Sequence, residues 1–261
     1  GSPLSAVNEY KRILPMDSLK YTSLARKEIV ELGLKLNLFP LDKAISEFER
    51  LRYAWGERSF KLELLDGLAD MYIRKKDFAN ALRTLQELKN YAGYEDKPAV
   101  EDRMVRLFED IYIRNEADNL SALKSLALYH DYEWLAPKSP RYNTIVQKLS
   151  DRLVAVDLLD RAESLLTGQL RNVPMTPVDR AKIGTRLALI YLFNHKDGET
   201  LLMLDDTENG AIPQTLALQR KIIRAKALTN LNREEEALAL LKDDYSKNAI
   251  LLKSEIFWNA G

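Results

Sequence analysis

The sequence predicts an all-α protein, an array of about six helix–turn–helix units stacked side by side. Three observations carry this reading. Apolar residues recur three and four positions apart, which lines them along one face of a helix. A small residue early in each second helix recurs at Ala44, Ala81, Ala122, Ala162, Thr200 and Ala237, at intervals of 37, 41, 40, 38 and 37 residues. Pro98, Pro137, Pro174 and Pro213 follow at intervals of 39, 37 and 39. Each of them falls between helix pairs, where a residue that stops helices belongs.

The units differ in clarity. In the first, Leu32-Gly33-x-x-Leu36 leads toward Ala44, and the turn reads one residue short. The second is the clearest. Leu65, Leu68 and Tyr72 form one stripe, Arg74 to Asp77 a polar break, and Phe78, Ala81, Leu82, Leu85 and Leu88 a second stripe. The unit over 103–134 is weak, because Asp110 stands where a small residue is wanted. Next, Val146, Leu149, Ser150 and Leu153 precede a good second helix from Asp157 to Leu166. A strong first helix around Leu187, Ala188 and Tyr191 is followed by Asp197-Gly198 and Thr200. Ile222, Ala225 and Leu228 then lead to a second helix at Arg233–Leu241. Ser139-Pro140 and Thr176-Pro177 place a capping hydroxyl before a first-turn proline, with Asp179 positioned to assist. No alternation of period two is long enough for a sheet.

Residues 1–16 read as a tag remnant and N-terminal segment, because the chain opens Gly-Ser-Pro without an initiator Met. Residues 17–261 read as the array. Ile250 to Gly261 reads as one more first helix, with Ser254 and Phe257 in the small and aromatic slots, and the second helix does not follow. The expectation is therefore a fragment of a longer repeat protein, with Phe257 and Trp258 on an open edge that can also join another copy.

The Leu-x-x-Leu-Ala-x-x-Tyr … Asp-Phe-x-x-Ala-x-x-x-Leu pattern at 65–85 resembles the tetratricopeptide repeat (TPR). The match is good over 62–92 and fair over 143–170 and 218–244. The period of 37–41 exceeds that family's 34, which marks a divergent TPR-like array. The resemblance implies a right-handed superhelix, an α-solenoid whose concave face is lined by the first helix of each pair and holds a protein or peptide. In such pairs the groove positions are Asp66, Asp70 and Arg74, then Gln147 and Asp151, then Lys182, Thr185 and Leu189, then Ile222, Lys226 and Asn230. That makes the groove acidic toward the N-terminus and more basic toward the C-terminus. Some family members clamp a C-terminal carboxylate. Lys182 and Arg186 fit its third-repeat slots, but Lys148 stands where asparagine is expected, so the full clamp is absent.

Composition narrows the chemistry. The 39 basic and 39 acidic residues cancel, which argues against a polyanion binder. There is no cysteine, hence no disulfide, thiolate metal site or cysteine nucleophile, and this fits a reducing, cytoplasmic setting. The ten glycines are never closer than 11 apart, which rules out phosphate-cradling loops and the nucleophile elbow. His130 and His195 are the only histidines and read as loop or helix-end residues. Arg74-Lys75-Lys76 reads as support for a helix C-terminus. Tyr72, Tyr112, Tyr191 and Phe257 read as core. Tyr53, Trp55, Tyr91, Tyr94, Tyr132 and Trp134 flank loops, where aromatic residues can anchor a partner. Asp66 and Asp70 stand one turn apart, a repulsive spacing that suggests a role in receiving a basic ligand. The expectation is a non-enzymatic protein-interaction scaffold with no cofactor or metal. Its alternatives are a helical-repeat RNA binder and a purely architectural or oligomerising segment of a larger bacterial protein.

Overall fold

The computed structural model describes residues 3–14, 18–54, 56–114, 116, 120–136, 140–208 and 210–260. Among the described residues there is no strand, and helices follow one another with short connections. In chain order they are α1 (Pro3–Ile13), α2 (Leu19–Lys35), α3 (Leu41–Leu51), α4 (Arg58–Lys75), α5 (Phe78–Tyr91), α6 (Lys97–Ile113) and α7 (Ala122–Tyr132). They continue with α8 (Pro140–Ala155), α9 (Leu159–Asn172), α10 (Pro177–Phe193), α11 (Asp197–Asp206), α12 (Gln214–Asn230), α13 (Glu234–Leu241) and α14 (Lys247–Ala260). Two compact units result, one of residues 1–119 with 128–136 and the other of 120–127 with 137–261.

The same turn closes five helix pairs. Asn37, Lys76, Asp157, His195 and Asn232 have φ of 55°, 61°, 60°, 56° and 57°. In the α4/α5 turn the Lys76 amide donates to Ile73 O and the Asp77 amide to Tyr72 O, both at 2.9 Å. The pattern recurs as Asp157 to Val154 with Leu158 to Leu153, His195 to Leu192 with Lys196 to Tyr191, and Asn232 to Thr229 with Arg233 to Leu228. Asn37 to Leu34 with Leu38 to Gly33 completes the set. These paired bonds satisfy carbonyls that a helix end leaves open, and they require one left-handed residue. None of the five is glycine. Asn, Asp and His tolerate that conformation better than most residues, while Lys76 carries its steric cost. His195 is thereby explained as a turn residue. The α6–α7 connection includes 115 and 117–119, outside the described residues.

The turn fixes the small anchor. Ala81, Ala162, Thr200 and Ala237 lie five positions after their left-handed residue and are fully buried. Ala44 is as buried but lies seven positions after Asn37. The first turn is thus longer than its counterparts, where the sequence suggested a shorter one. Register explains the difference. Gly33, not Leu36, is the last-turn residue whose carbonyl the turn engages, and a Cβ on Gly33 would overlap the Phe39 ring that fills the longer connection.

In the first unit, Phe48, Leu64, Leu65, Leu68, Leu82 and Leu85 are wholly inaccessible. Phe108, Tyr112 and Tyr129 extend this core as a ring cluster with centroids 4.8 to 6.1 Å apart. The second unit is built on Ile145, Val146, Leu166, Leu187 and Leu204. Start signals behave as the sequence indicates where they are described. Thr176 Oγ1 accepts from the Asp179 amide at 3.1 Å and donates to its carboxylate at 2.8 Å. Pro98 and Pro177 sit in first turns, and Pro213 immediately precedes α12. Ser139, Pro137 and Trp55 lie outside the described residues. Residues 3–13 of the N-terminal segment form α1, which packs on α2.

Candidate interaction surface

Charged residues on the first helices of neighbouring pairs reach toward one another. In the first unit, the α4 spacing puts Asp66 and Asp70 one above the other on an exposed face. Arg103 of α6 lies between them, with Nη1 2.5 Å from Asp66 and Nη2 2.5 Å from Asp70. The like-charged pair, repulsive alone, is thus answered within the chain. Two carboxylates share one guanidinium, so this cluster of three side chains keeps one negative charge, with the exposed Arg74 one turn beyond it. Arg74 is exposed at the end of α4. Its neighbours are engaged, Lys75 with Asp42 at 2.5 Å and Lys76 with Glu116 at 2.6 Å.

The second unit repeats the arrangement. Arg186 of α10 makes a two-pronged contact with Asp151 of α8 at 3.1 and 3.2 Å. Lys182 pairs with Asp179 at 3.4 Å, and Gln147 is half-buried on α8. Lys226 of α12 reaches Glu255 of α14 at 2.5 Å, and the Asn230 amide donates to Asp197 at 2.8 Å. Leu189 and Ile222 are partly buried core residues. Thr185 differs from the expected groove residue. It is 2% exposed, and its hydroxyl donates to Ala181 O at 2.6 Å and accepts from Arg220 at 3.0 Å. The helix face bearing Lys182 turns Thr185 inward, against α12.

Sequence reasoning missed the partners, Arg103 and Glu255 above all. A signal for Arg103 exists. Partners stand about one repeat apart in the chain, by 37 and 33 residues for Arg103 with Asp66 and Asp70, 35 for Arg186 with Asp151, and 33 for Asn230 with Asp197. Scanning for opposite charges at about this spacing would have found Arg103, whereas Glu255 stands only 29 residues from Lys226 and Asn230 is uncharged, so neither shows in such a scan. Asp197 is buried, but the three ion pairs with Arg103 and Arg186 are open to water. The side chains of Asp66, Asp70 and Asp151 remain 56%, 65% and 58% exposed. Exposed pairs contribute about 0–1 kcal/mol each, so an incoming charge can replace them at small cost.

Each unit also has an open cleft. In the first, a cleft of about 590 Å³ is edged by Arg83, Gln86 and Lys89 on α5 with Asp131, Tyr132 and Trp134. Lys89 lies 4.9 Å from the Trp134 ring centre, and Trp134 is half-exposed. Burial, with Asp131 beside it and despite Arg83, raises the Tyr132 hydroxyl above its ordinary value. In the second, a cleft of about 520 Å³ brings Lys226 and Asn230 together with Phe193, His195 and Asp197. The aromatic slot is core at Tyr72 and Tyr112 but open at Phe257, which is 64% exposed, contrary to a uniform core stripe. The other histidine, His130, packs edge-on to Tyr129 at 5.6 Å.

Among the described residues, no three His, Asp or Glu side chains converge to hold a metal ion, and no helix is long and apolar enough to cross a membrane. Among the described residues these features define an all-helical protein of paired helices, with ion pairs joining neighbouring pairs inside each unit. No protein-family model matches the chain. No curated protein matches it either. Among solved structures, the chain is similar to the crystal structure of BtubC (BKLC) from P. vanneervenii, with a TM-score of 0.32 and 14% identity over 94% of this chain and 91% of that one. A likeness at that level does not define a shared fold.

Proposed function

We propose that the protein is a non-enzymatic interaction scaffold, a divergent TPR-like right-handed solenoid that binds a protein or peptide segment along the faces of its first helices. The recurrence of one turn, closing helix pairs at the spacing of the buried anchors, carries this reading. A pair closed in this way presents side chains from its first helix at fixed intervals, and adjacent pairs extend the row. The charges on this row are held in register by weak, exposed pairs. They therefore select a ligand by charge pattern without large desolvation costs.

Asp66 and Asp70 favour a segment bearing lysine or arginine, which can share or displace Arg103. A single-stranded nucleic acid would bring phosphates against Asp66, Asp70 and Asp151, which speaks against the RNA-binding reading. The test is an array of 15-residue peptides graded in charge, followed by titration calorimetry of the best binder. Basic peptides should bind the wild type, and Asp66→Asn/Asp70→Asn should weaken them about tenfold through the loss of two partly exposed ionic contacts. Equal binding by both proteins would remove these carboxylates from the ligand site. Binding of single-stranded RNA at physiological salt with no peptide bound would favour the nucleic-acid alternative.

A further inference from the structure

Helix α14 has two faces of different fate. Ala249, Leu252 and Ile256 are buried with Ala225, Leu228, Ala237 and Leu241. On the opposite side Ile250, Leu251, Phe257 and Trp258 are 48%, 58%, 64% and 87% exposed. Helical spacing sets these four in one stripe with Ser254 at its centre. Ala249, Leu252 and Ile256 repeat the spacing of Arg220, Ile223 and Ala227 on α12. In that register Leu251, Ser254 and Phe257 correspond to Ile222, Ala225 and Leu228. Those α12 residues pack with Ala237 and Leu241 of α13. The open stripe on α14 therefore has the chemistry of a helix-binding face.

Its residue order specifies a particular helix. About Ser254 the stripe mirrors itself. In an antiparallel pair crossing there, Ile250 meets Trp258 of a second copy and Leu251 meets Phe257 of that copy. Each aliphatic side chain is opposed by an aromatic one, and a small side chain stands at the crossing, where two helix axes come within roughly 8–10 Å. Ser254 adds no unpaired polar group, because its hydroxyl donates to Ile250 O at 3.0 Å. Lys247 stands on the same side at the N-terminal end of α14, beyond the four apolar residues, while the charges flanking Ser254 are held away from the stripe. Lys253 donates to Leu241 O at 3.3 Å and Asp244 O at 2.9 Å, and Glu255 is bound by Lys226. Covering the four apolar side chains on both copies removes roughly 1,000 Å² from water, about where specific interfaces begin.

We propose that the protein self-associates through a two-fold, antiparallel α14–α14 contact centred on Ser254. The interface is isologous, so it closes as a dimer and does not propagate. It is separate from the first-helix carboxylates proposed to meet a ligand.

The chain has no cysteine, so Ser254→Cys creates a single thiol on the proposed axis. Two such residues face each other within disulfide reach, roughly 7 Å between Cα atoms. Under mild oxidation Ser254→Cys should form a covalent dimer far faster than Ser164→Cys, a control on the exposed side of α9. Sedimentation equilibrium of the wild type should show a reversible dimer at micromolar concentrations. Phe257→Glu/Trp258→Glu, with unchanged far-ultraviolet circular dichroism, should weaken it at least about tenfold. The proposal is overturned by a wild type that stays monomeric, by equal cross-linking at 164 and 254, or by a dimer indifferent to the two glutamates. A monomer that instead captures an added peptide of the α13 sequence would show that a different helix covers the stripe.

Discussion

Two of the buried cations, one taken from each unit, are stabilised in opposite ways. Lys27 of α2 is 4% exposed and surrounded by carboxylates, with Glu63 at 2.9 Å and Glu28 and Glu31 both at 3.3 Å. Arg220 of α12 is equally buried but has no carboxylate on its guanidinium. Nη1 donates to Ala181 O and Thr185 Oγ1 at 3.0 Å and to Thr207 Oγ1 at 3.3 Å, while Nη2 donates to Leu204 O. Burial lowers Lys27, but its bond to Glu63 and the charges of Glu31 and Glu28 outweigh that and hold its ammonium above the ordinary range. Burial lowers Arg220, and the more distant charges of Glu208 and Asp205 do not restore it. The contrast separates charge neutralisation from architecture. Lys27 is a cation whose partners can turn to water. Arg220 is a fork of donors that joins α10, the C-terminal end of α11 and α12, a role its five N–H groups suit and an ammonium does not.

The largest effect should follow from Arg220→Met. It removes the donor shared by the Ala181 and Leu204 carbonyls and the Thr185 and Thr207 oxygens in a dry site, leaving the two hydroxyls only their own bonds to Ala181 O and Met203 O, and costs about 3 kcal/mol. Hydrogen exchange should show this as lost protection of α10 to α12 while the first unit is unchanged. Next is Gly184→Ala. A methyl group there would overlap Thr207, which accepts from Arg220, so the same joint is attacked from its other side. About 1–3 kcal/mol should be lost, as for other overpacked contacts, read as a fall in the urea midpoint.

The sequence made some of this legible and hid the rest. Small anchors and apolar stripes gave the helices and their pairing, because periodicity is a local property of the chain. Arg220 was hidden, since an arginine among apolar residues looks like any snorkelling side chain until three helices are assembled around it. The left-handed turn residues were obscured for another reason. Where the eye seeks glycine the chain uses Asn37, Lys76, Asp157, His195 and Asn232. Read helix by helix, the charges of the first helices show Asp66 and Asp70 as a repulsive pair and leave out Arg103 about one repeat away.

Smaller effects sharpen the same contrast. Lys27→Met should change stability by about 1 kcal/mol or less, because its three glutamates remain partly exposed and rehydrate. The difference between wild type and Lys27→Met should also depend on pH. The folded value of Lys27 is raised, so its contribution is complete below the unfolded lysine value of about 10.4 and is lost as pH rises through the folded one. Urea titrations across the alkaline range should therefore converge for the two proteins. Arg220, with its value lowered, offers no such stabilising titration. Smallest is Lys76→Gly, which relieves the left-handed conformation and should add about 0.5–1 kcal/mol in thermal unfolding.

The central claim is that this protein acts by presenting an ordered row of side chains. Exchanging the signs within one rung tests it, with Asp66→Arg/Asp70→Arg combined with Arg103→Asp. The altered rung can still pair internally, so stability should hold within about 1 kcal/mol. Peptide preference measured by calorimetry should invert, basic segments being lost and acidic ones gained. Unaltered ligand preference in a stably folded protein would contradict the account.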